Sequence, residues 1–205
     1  LRLTDSYAQV LADLGIDAVV LSTPHSQHAA EIAAAARAGK HVFAEKPFTL
    51  TRADAEAAIA ACRTAGITLG VGFNRRYAPA YADMARRIAA GEIGTLRHIE
   101  GQFSGPASYQ TAAGNWRANQ AESPGGAMTA RGVHVLDGMV HIAGLVDTVF
   151  AFSERLQHAI DVDDTTACLF RFTGGVTGML GTLHAASRLW RIQAFGSQGA
   201  LETCS

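Results

Sequence analysis

Residues 16–47 read IDAVVLSTPHSQHAAEIAAAARAGKHVFAEKP, and their pattern predicts the fold of the first part of the chain. Residues 17–21 are an apolar run of strand length, and residues 41–44 are a second one. Between them, an alanine-rich stretch from Ser26 to a stop at Gly39 is typical of a helix. A strand, a helix and a second strand in this order form a right-handed β-α-β unit with parallel strands.

A short helix is predicted before this stretch. Thr4 or Asp5 is expected to cap its start, and Gly15 is expected to end it. Four side chains form its apolar face: Tyr7, Val10, Leu11 and Leu14.

The alternation of helix and strand continues after the stretch. Thr51 and Asp54 predict a capping box at the start of another helix, which Gly66 ends. Residues 67–71 then form a third apolar strand. Because strands that are almost entirely apolar are typical of parallel sheets with helices on both faces, we expect half of a doubly wound, Rossmann-type α/β fold.

The second part of the chain has a different pattern. It contains a helix over residues 78–89, a strand over 96–103, an irregular stretch over 104–123 and a helix over 126–142. Four further strands are predicted: residues 148–157, 165–172, 176–184 and 189–195. Gly174 and Gly175 predict a tight hairpin, and a glycine turn over 196–199 follows the last strand. These elements predict a partial α+β domain with a largely antiparallel sheet that is open on one face.

Composition excludes several function classes. Apolar residues make up 48% of the chain, charged residues 17%, and the formal net charge is −1, which gives no support for nucleic acid or a membrane as a partner. The cysteines Cys62, Cys168 and Cys204 are odd in number and far apart, so a disulfide framework is not expected. The expected compartment is the reducing cytoplasm. The chain starts at Leu1 without a signal peptide, so it is expected to begin inside a longer protein.

Ligands of open parallel sheets bind at the carboxyl ends of the strands. Polar residues follow all three predicted strands: Ser22, Thr23, Pro24 and His25; Glu45, Lys46 and Pro47; Asn74, Arg75, Arg76 and Tyr77. Lys46 is the strongest candidate because it directly follows a strand, although a solvated lysine paired with Glu45 is the plain alternative. Pro47 is a candidate for a cis peptide bond.

Residues 16–47 and four later segments resemble the glucose–fructose oxidoreductase, inositol dehydrogenase and MocA (Gfo/Idh/MocA) family. The segments are GFNRRYAP (72–79), IAAGEIGTLRHI (88–99), GGAMTARGVHVLD (125–137) and FGSQGALE (195–202). They occur in the order typical of the family and span nearly the whole chain.

The resemblance implies an NAD(P)-dependent oxidoreductase. Such an enzyme moves a hydride between a nicotinamide cofactor and a hydroxyl or keto group of a sugar, polyol or cyclitol. Lys46 and His134 are the implied catalytic residues, and Lys46 reaches the reacting hydroxyl while His134 acts as acid–base. The implied cofactor-binding residues are Ser22, Thr23, Pro24, His25, Glu45, Lys46, Asn74 and Arg76. The implied substrate-binding residues are Lys46, Trp116, Arg117 and His134, and no metal is implied despite the spacing of His25 and His28.

One residue departs from the family pattern. Family members often carry Asp-x-Gly-x-His on the helix of His134, and here Ala130 stands in place of the aspartate. The histidine therefore lacks its usual carboxylate, and Lys46 or another residue such as Thr129 must contribute more. This leaves open a non-catalytic sugar-binding or regulatory relative. A stand-alone interaction module is a third alternative, which would apply if the glycine-rich segment had been lost.

The resemblance also divides the chain. Residues 1–74 are expected to be the remainder of a dinucleotide-binding Rossmann domain, and residues 75–205 a truncated domain for substrate binding and oligomerisation. No G-x-G-x-x-G turn occurs in the sequence, so the choice between NAD and NADP stays open. An open sheet in this fold usually forms an oligomer surface, which implies a homo-dimer or homo-tetramer.

Overall fold

A computed structural model describes residues 2–112, 114–156 and 161–204. The chain divides into two compact units, Leu1–Gly72 and Phe73–Ser205. This division lies close to the boundary predicted after residue 74.

The first unit contains a three-stranded parallel sheet in the order β1-β2-β3. Its strands are β1 (Ala18–Leu21), β2 (His41–Ala44) and β3 (Leu69–Val71), and its helices are α1 (Tyr7–Ala12), α2 (His28–Arg37) and α3 (Arg52–Ala65). The predicted order of strands and helices is therefore confirmed, and β2 has the predicted bounds. The predicted cap of α3 is also present, because the Thr51 hydroxyl oxygen accepts a hydrogen bond from the Asp54 backbone N–H at 3.1 Å.

The predicted ends of α1 are wrong. Ser6 caps the helix, since its hydroxyl oxygen accepts a hydrogen bond from the Gln9 backbone N–H. Thr4 lies two residues before Ser6, and its hydroxyl oxygen accepts a hydrogen bond from the Ser6 backbone N–H at 3.1 Å. The helix ends before Asp13, and Leu14 is 95% exposed instead of lying on the apolar face.

The helices of this unit pack on one face of the sheet, where we expected both faces to be covered. Alternate strand residues, such as Val19 and Val42, are buried with Ile32 of α2 and Ala58 of α3. Val20 and Phe43 point the other way and are largely exposed. The reason is topological: right-handed crossovers that add each strand in the same direction place their helices on the same face.

The second unit is an α+β unit with a six-stranded sheet. The helices are α4 (Pro79–Ala89) and α5 (Val133–Ala143). The strands are β4 (Leu96–Ser104), β5 (Val146–Glu154), β6 (Thr165–Phe172), β7 (Thr177–Leu183), β8 (Leu189–Gly196) and β9 (Ala200–Cys204). The strand predicted over 148–157 is β5, and its predicted last residue, Gln157, lies outside the described residues.

The strand order of this sheet is β5-β6-β7-β4-β8-β9. Four of the five pairings are antiparallel, which confirms a largely antiparallel sheet. Two features differ from the prediction: β4 lies in the middle of the sheet and runs parallel to β7, and β9 adds a strand after the glycine turn. Alternation of apolar and polar residues identifies a strand but does not show which strand it pairs with. The central position of β4 could therefore not be predicted from this pattern.

One face of the sheet is covered by α4 and α5, and the other is open. Ile99 of β4, Ile192 of β8 and Met139 of α5 are fully buried in the covered core. Tyr81 of α4 lies in the same core and donates a hydrogen bond to the Gly138 carbonyl oxygen at 3.0 Å. Burial raises the pKa of Tyr81 to about 12.

The open face carries large apolar side chains. Phe150, Phe152, Leu169 and Met179 are between 45% and 62% exposed there. They line a shallow cavity of about 360 Å³. The prediction of one open face is therefore confirmed.

Within the described residues, no helix combines the length and the apolar character needed to cross a membrane. Cys62 and Cys168 are buried as free thiols.

Candidate active site

The first group of predicted site residues lies at the carboxyl ends of β1 and β2. Leu21 pairs with Ala44, and the Glu45 backbone N–H donates to the Leu21 carbonyl oxygen at 2.9 Å. The turn of residues 22–25 and the turn of residues 45–47 therefore begin side by side. This is the edge at which parallel sheets bind ligands.

A buried histidine joins these two turns. His28 is fully buried at the start of α2, and its Nε2 lies 3.1 Å from the Thr23 carbonyl oxygen while its Nδ1 lies 3.0 Å from the Pro47 carbonyl oxygen. His25 is also buried and packs edge-on against the His28 ring at a centroid distance of 6.0 Å. The Phe48 carbonyl oxygen also lies 3.3 Å from Nδ1, so all three of these polar neighbours of the ring are carbonyl acceptors. His28 thus positions the two turns, a role that its spacing in the sequence did not reveal.

Lys46 is the second residue after the end of β2, and its bond to Pro47 is cis, as anticipated. The Lys46 backbone N–H donates to the carboxylate of Glu45 at 3.2 Å. In the neighbouring turn, the Thr23 hydroxyl donates to the carboxylate of Glu31, while Ser22 is exposed. The edge therefore brings Lys46, the Glu45 carboxylate and backbone groups of both turns together.

This donor set fits the nicotinamide end of a dinucleotide. The ribose hydroxyls and the carboxamide of that end need hydrogen-bond donors and acceptors, and the residues after β1 and β2 supply both. The glycine-rich turn that binds the pyrophosphate is absent from the sequence.

His134 is the central predicted residue of the second unit. It lies in the first turn of α5, is 9% exposed, and packs against two aromatic rings. The Phe73 ring is edge-on to it at 6.5 Å and the Phe103 ring is tilted against it at 6.4 Å. An imidazole in such a position is held in orientation by packing.

Two arginines lie near the Phe103 ring: Arg75, which the sequence analysis named only among the polar residues after the third strand, and Arg131, which it did not single out. The guanidinium carbon of Arg75 lies 5.4 Å from the Phe103 ring centroid, and that of Arg131 lies 5.0 Å from it. Arg131 also donates to the Ser104 carbonyl oxygen at 3.1 Å. Their positions in the sequence could have indicated a role in the site, because Arg131 is next to Ala130 and Arg75 is next to the predicted site residue Arg76.

Arg76 is bound within the unit. Its Nε and Nη2 donate to the two carboxylate oxygens of Asp137, each at 2.6 Å. This bidentate pair raises the pKa of Arg76 above its ordinary value. Since Asp137 lies on α5, the pair ties the turn that carries Asn74 and Arg76 to the helix of His134. Asp137 was missed because its partner is distant in the sequence.

The helix of His134 starts irregularly. Residues Met128–Gly132 form a π-helical turn before α5, where the sequence predicted continuous helix from residue 126. Such turns often occur at functional sites. Thr129, considered as a substitute for the missing aspartate, uses its hydroxyl oxygen to accept the Gly125 N–H at 2.9 Å.

Trp116 and Arg117 form a contact with each other. The Arg117 guanidinium carbon lies 4.0 Å from the Trp116 ring centroid, on a 3₁₀ turn that the Asn115 side chain caps. His184, another polar residue of the second unit, donates its backbone N–H to the Asp164 carbonyl oxygen.

Comparison with known proteins identifies the family. The model for the oxidoreductase family with an NAD-binding Rossmann fold matches residues 1–73, and the model for the GFO/IDH/MocA C-terminal domain matches residues 81–202. The chain belongs to the Gfo/Idh/MocA oxidoreductase family. The resemblance that the sequence motifs indicated is therefore confirmed.

Relatives within the Gfo/Idh/MocA family include two named dehydrogenases. The chain is 48% identical over 93 residues to scyllo-inositol 2-dehydrogenase (NAD(+)) of Bacillus subtilis, covering 45% of this chain and 27% of that protein. It is 31% identical over 187 residues to D-apiose dehydrogenase of Paraburkholderia graminis, covering 90% of this chain and 48% of that protein.

The chain is also similar to solved structures. The structure of levoglucosan dehydrogenase in complex with NADH and levoglucosan superposes on this chain with a TM-score of 0.89 and 26% sequence identity. The match covers 97% of this chain and 57% of that one. The chain thus spans about half the length of the relatives it matches.

Proposed function

We propose that the protein is an NAD- or NADP-dependent dehydrogenase that acts on a hydroxyl or keto group of a sugar, polyol or cyclitol. The observation that carries the proposal is the packing of the buried His134 imidazole against Phe73 and Phe103, in the part of the chain that matches the family's C-terminal domain. Three of the relatives are dehydrogenases of scyllo-inositol, D-apiose and levoglucosan, which are all hydroxylated compounds.

The proposed mechanism assigns proton transfer to His134. In the oxidation direction, a neutral imidazole accepts the proton of the substrate hydroxyl, and in the reverse direction the imidazolium returns it. Phe73 and Phe103 restrict the ring, so that one nitrogen stays directed at the substrate. Because Ala130 supplies no carboxylate, this packing replaces part of the orientation that a hydrogen bond gives elsewhere.

Lys46 is assigned to the substrate oxygen. Its ammonium group donates a hydrogen bond to the reacting hydroxyl and stabilises negative charge as the proton leaves. His28 supports this role, because its ring contacts the carbonyl oxygen of Pro47, directly after Lys46, and that of Thr23 in the neighbouring turn after β1.

NAD or NADP, when bound, accepts or supplies the hydride at its nicotinamide ring. We assign its contacts to the residues after β1 and β2, namely Ser22, Thr23, Pro24, His25, Glu45 and Lys46, and to Asn74. Arg76 is assigned to the cofactor as well, and its pairing with Asp137 gives it a second role in holding α5. Trp116 and Arg117 are assigned to the substrate.

A non-catalytic sugar-binding or regulatory relative is the second candidate. The observation that favours it is Ala130, together with the use of the Thr129 hydroxyl by Gly125. Both candidates predict sugar binding, and only the dehydrogenase predicts hydride transfer.

We further propose that the protein is a cytoplasmic homo-dimer or homo-tetramer. The apolar open face of the second unit supports assembly, and the buried free thiols support a reducing compartment. Light scattering tests the assembly: a monomer at micromolar concentration, unchanged by Phe152→Asp, contradicts it.

The decisive test of function is cofactor binding, measured by calorimetry on this chain and on a version extended upstream into its native coding sequence. We expect the extended version to bind NAD or NADP with micromolar affinity and to reduce it in the presence of a sugar or cyclitol. Tight sugar binding without turnover supports the second candidate. Absence of cofactor binding in both versions contradicts the dehydrogenase.

A further inference from the structure

Positive charge is concentrated around the ring that packs against His134. Arg75 and Arg131 both lie over Phe103, and Arg75 also lies 5.9 Å from the Trp190 ring centroid. Phe103 and Trp190 are neighbours across β4 and β8 on the helix-covered face of the sheet. Both guanidinium groups therefore lie near the Phe103 ring, which also packs against the imidazole of His134.

A third arginine adds to this charge. Burial lowers the pKa of Arg131 below its ordinary value, and the nearby charge of Arg188 lowers it further. Arg188 is exposed, whereas Arg131 is partly buried. Like charges at short range repel, so a cluster of this kind costs free energy unless an anion offsets it.

The described part of the chain supplies no carboxylate to this cluster. The salt bridges between arginines and carboxylates in that part of the chain do not include Arg75, Arg131 or Arg188. Arg76, by contrast, binds both carboxylate oxygens of Asp137. Ala130, one residue before Arg131, has a methyl side chain and contributes no negative charge. The cluster therefore keeps its net positive charge.

A buried donor lies in the same place. The Trp190 indole Nε1–H is buried and has no hydrogen-bond acceptor among the described residues. Trp190 itself is 6% exposed and packs under Arg75. Guanidinium groups and an indole N–H are all donors, and they suit a ligand rich in acceptor oxygens.

We propose that the substrate carries an anionic substituent, and that Arg131, assisted by Arg75 and Arg188, binds this group next to His134. The substrate class is thus a sugar or cyclitol with a carboxylate or phosphate rather than a neutral one. The inference rests on the proposed function for the position of the substrate at His134, and it adds the charge that selects it.

The test compares ligands that differ only in charge. Calorimetry on the purified, cofactor-supplied protein measures D-glucuronate against D-glucose, D-galacturonate against D-galactose, and D-glucose 6-phosphate. We expect at least one anionic ligand to bind about 10- to 100-fold more tightly than its neutral counterpart, the range that a hydrogen-bonded charge gives. The sugar acids and the sugar phosphate distinguish the two sources of charge. Equal binding within each pair overturns the proposal.

Three variants locate the effect. Arg131→Gln is expected to bring the affinities for the anionic and the neutral member of each pair together. Arg63→Gln, which removes one exposed charge from α3, is expected to leave the preference for the anion at its wild-type ratio. Arg188→Gln tests the cluster without disturbing a buried group, and it is expected to weaken the anion about threefold. Retention of the full preference in both cluster variants overturns the assignment.

Turnover separates this inference from the proposed function. A protein that prefers anionic sugars but never transfers a hydride contradicts the dehydrogenase and supports the anion site. A protein that oxidises neutral sugars and does not bind their anionic counterparts supports the dehydrogenase and contradicts the anion site.

Discussion

Replacing Lys46 by alanine is expected to lower sugar or cyclitol turnover by about 100- to 1,000-fold, the typical cost of removing one donor that stabilises developing negative charge. The loss falls on kcat, because the hydrogen bond strengthens as the hydroxyl proton leaves. Stability should change by less than about 0.5 kcal/mol, since Lys46 lies at a strand end outside the core. Steady-state kinetics and thermal unfolding of the same samples measure both quantities.

The chain offers a matched control, because its only other lysine has the opposite character. Lys40 is 7% exposed, and its Nζ donates to the Asp13 carbonyl oxygen at 2.8 Å. Lys40→Ala should therefore lower the free energy of unfolding by about 1–3 kcal/mol and leave kcat unchanged. If Lys46→Ala keeps wild-type kcat, or loses activity only in proportion to its stability, Lys46 is not a catalytic residue.

The largest effect on stability is expected for Gly126→Ala. Gly126 has a φ of +48°, and a Cβ there would lie 1.9 Å from the carbonyl oxygen of Asp163. The obstacle is backbone, so a rotamer change cannot relieve it, and the alanine also adopts a conformation unfavourable for a side chain. The adjoining bond from the Ala127 N–H to the same oxygen would be strained as well. We expect a loss of about 3–5 kcal/mol, measured by urea unfolding.

Gly174→Ala is the control for this substitution. A Cβ at Gly174 meets nothing within 4 Å, and its φ is not positive. It should change stability by less than about 1 kcal/mol. Equal stability of the Gly126 variant and the wild type would show that the segment before α5 tolerates displacement, contrary to the close contact with Asp163.

Local signals predicted most of the secondary structure. The bounds of β2 and β6 match the prediction, because each is an apolar or alternating run between clear stops. Thr51 capped α3 as predicted, since a capping box needs only residues three positions apart. The start of α1 was wrong for a related reason: Thr4, Asp5 and Ser6 can all cap a helix, and only the structure decides among them.

Contacts between distant segments were not predictable in the same way. The motif directed attention to Arg76 and His134, but the bond from Arg76 to Asp137 and the packing of Phe103 on His134 depend on how β4 and α5 come together. No local period encodes such a meeting. The charge of Arg131 was visible in the sequence, and its place beside Phe103 was not.

The central position of β4 has a consequence for folding. The β6–β7 and β8–β9 hairpins are local in sequence, but they become one sheet only when β4 docks between β7 and β8. This docking brings Ile99 beside Gly178 and Ala194. It also closes long loops, whose entropy is lost before the contacts between the strands are formed, and steps of this kind are slow in protein folding. We therefore expect the two hairpins to form early and independently, and the docking of β4 to set the rate at which the second unit folds.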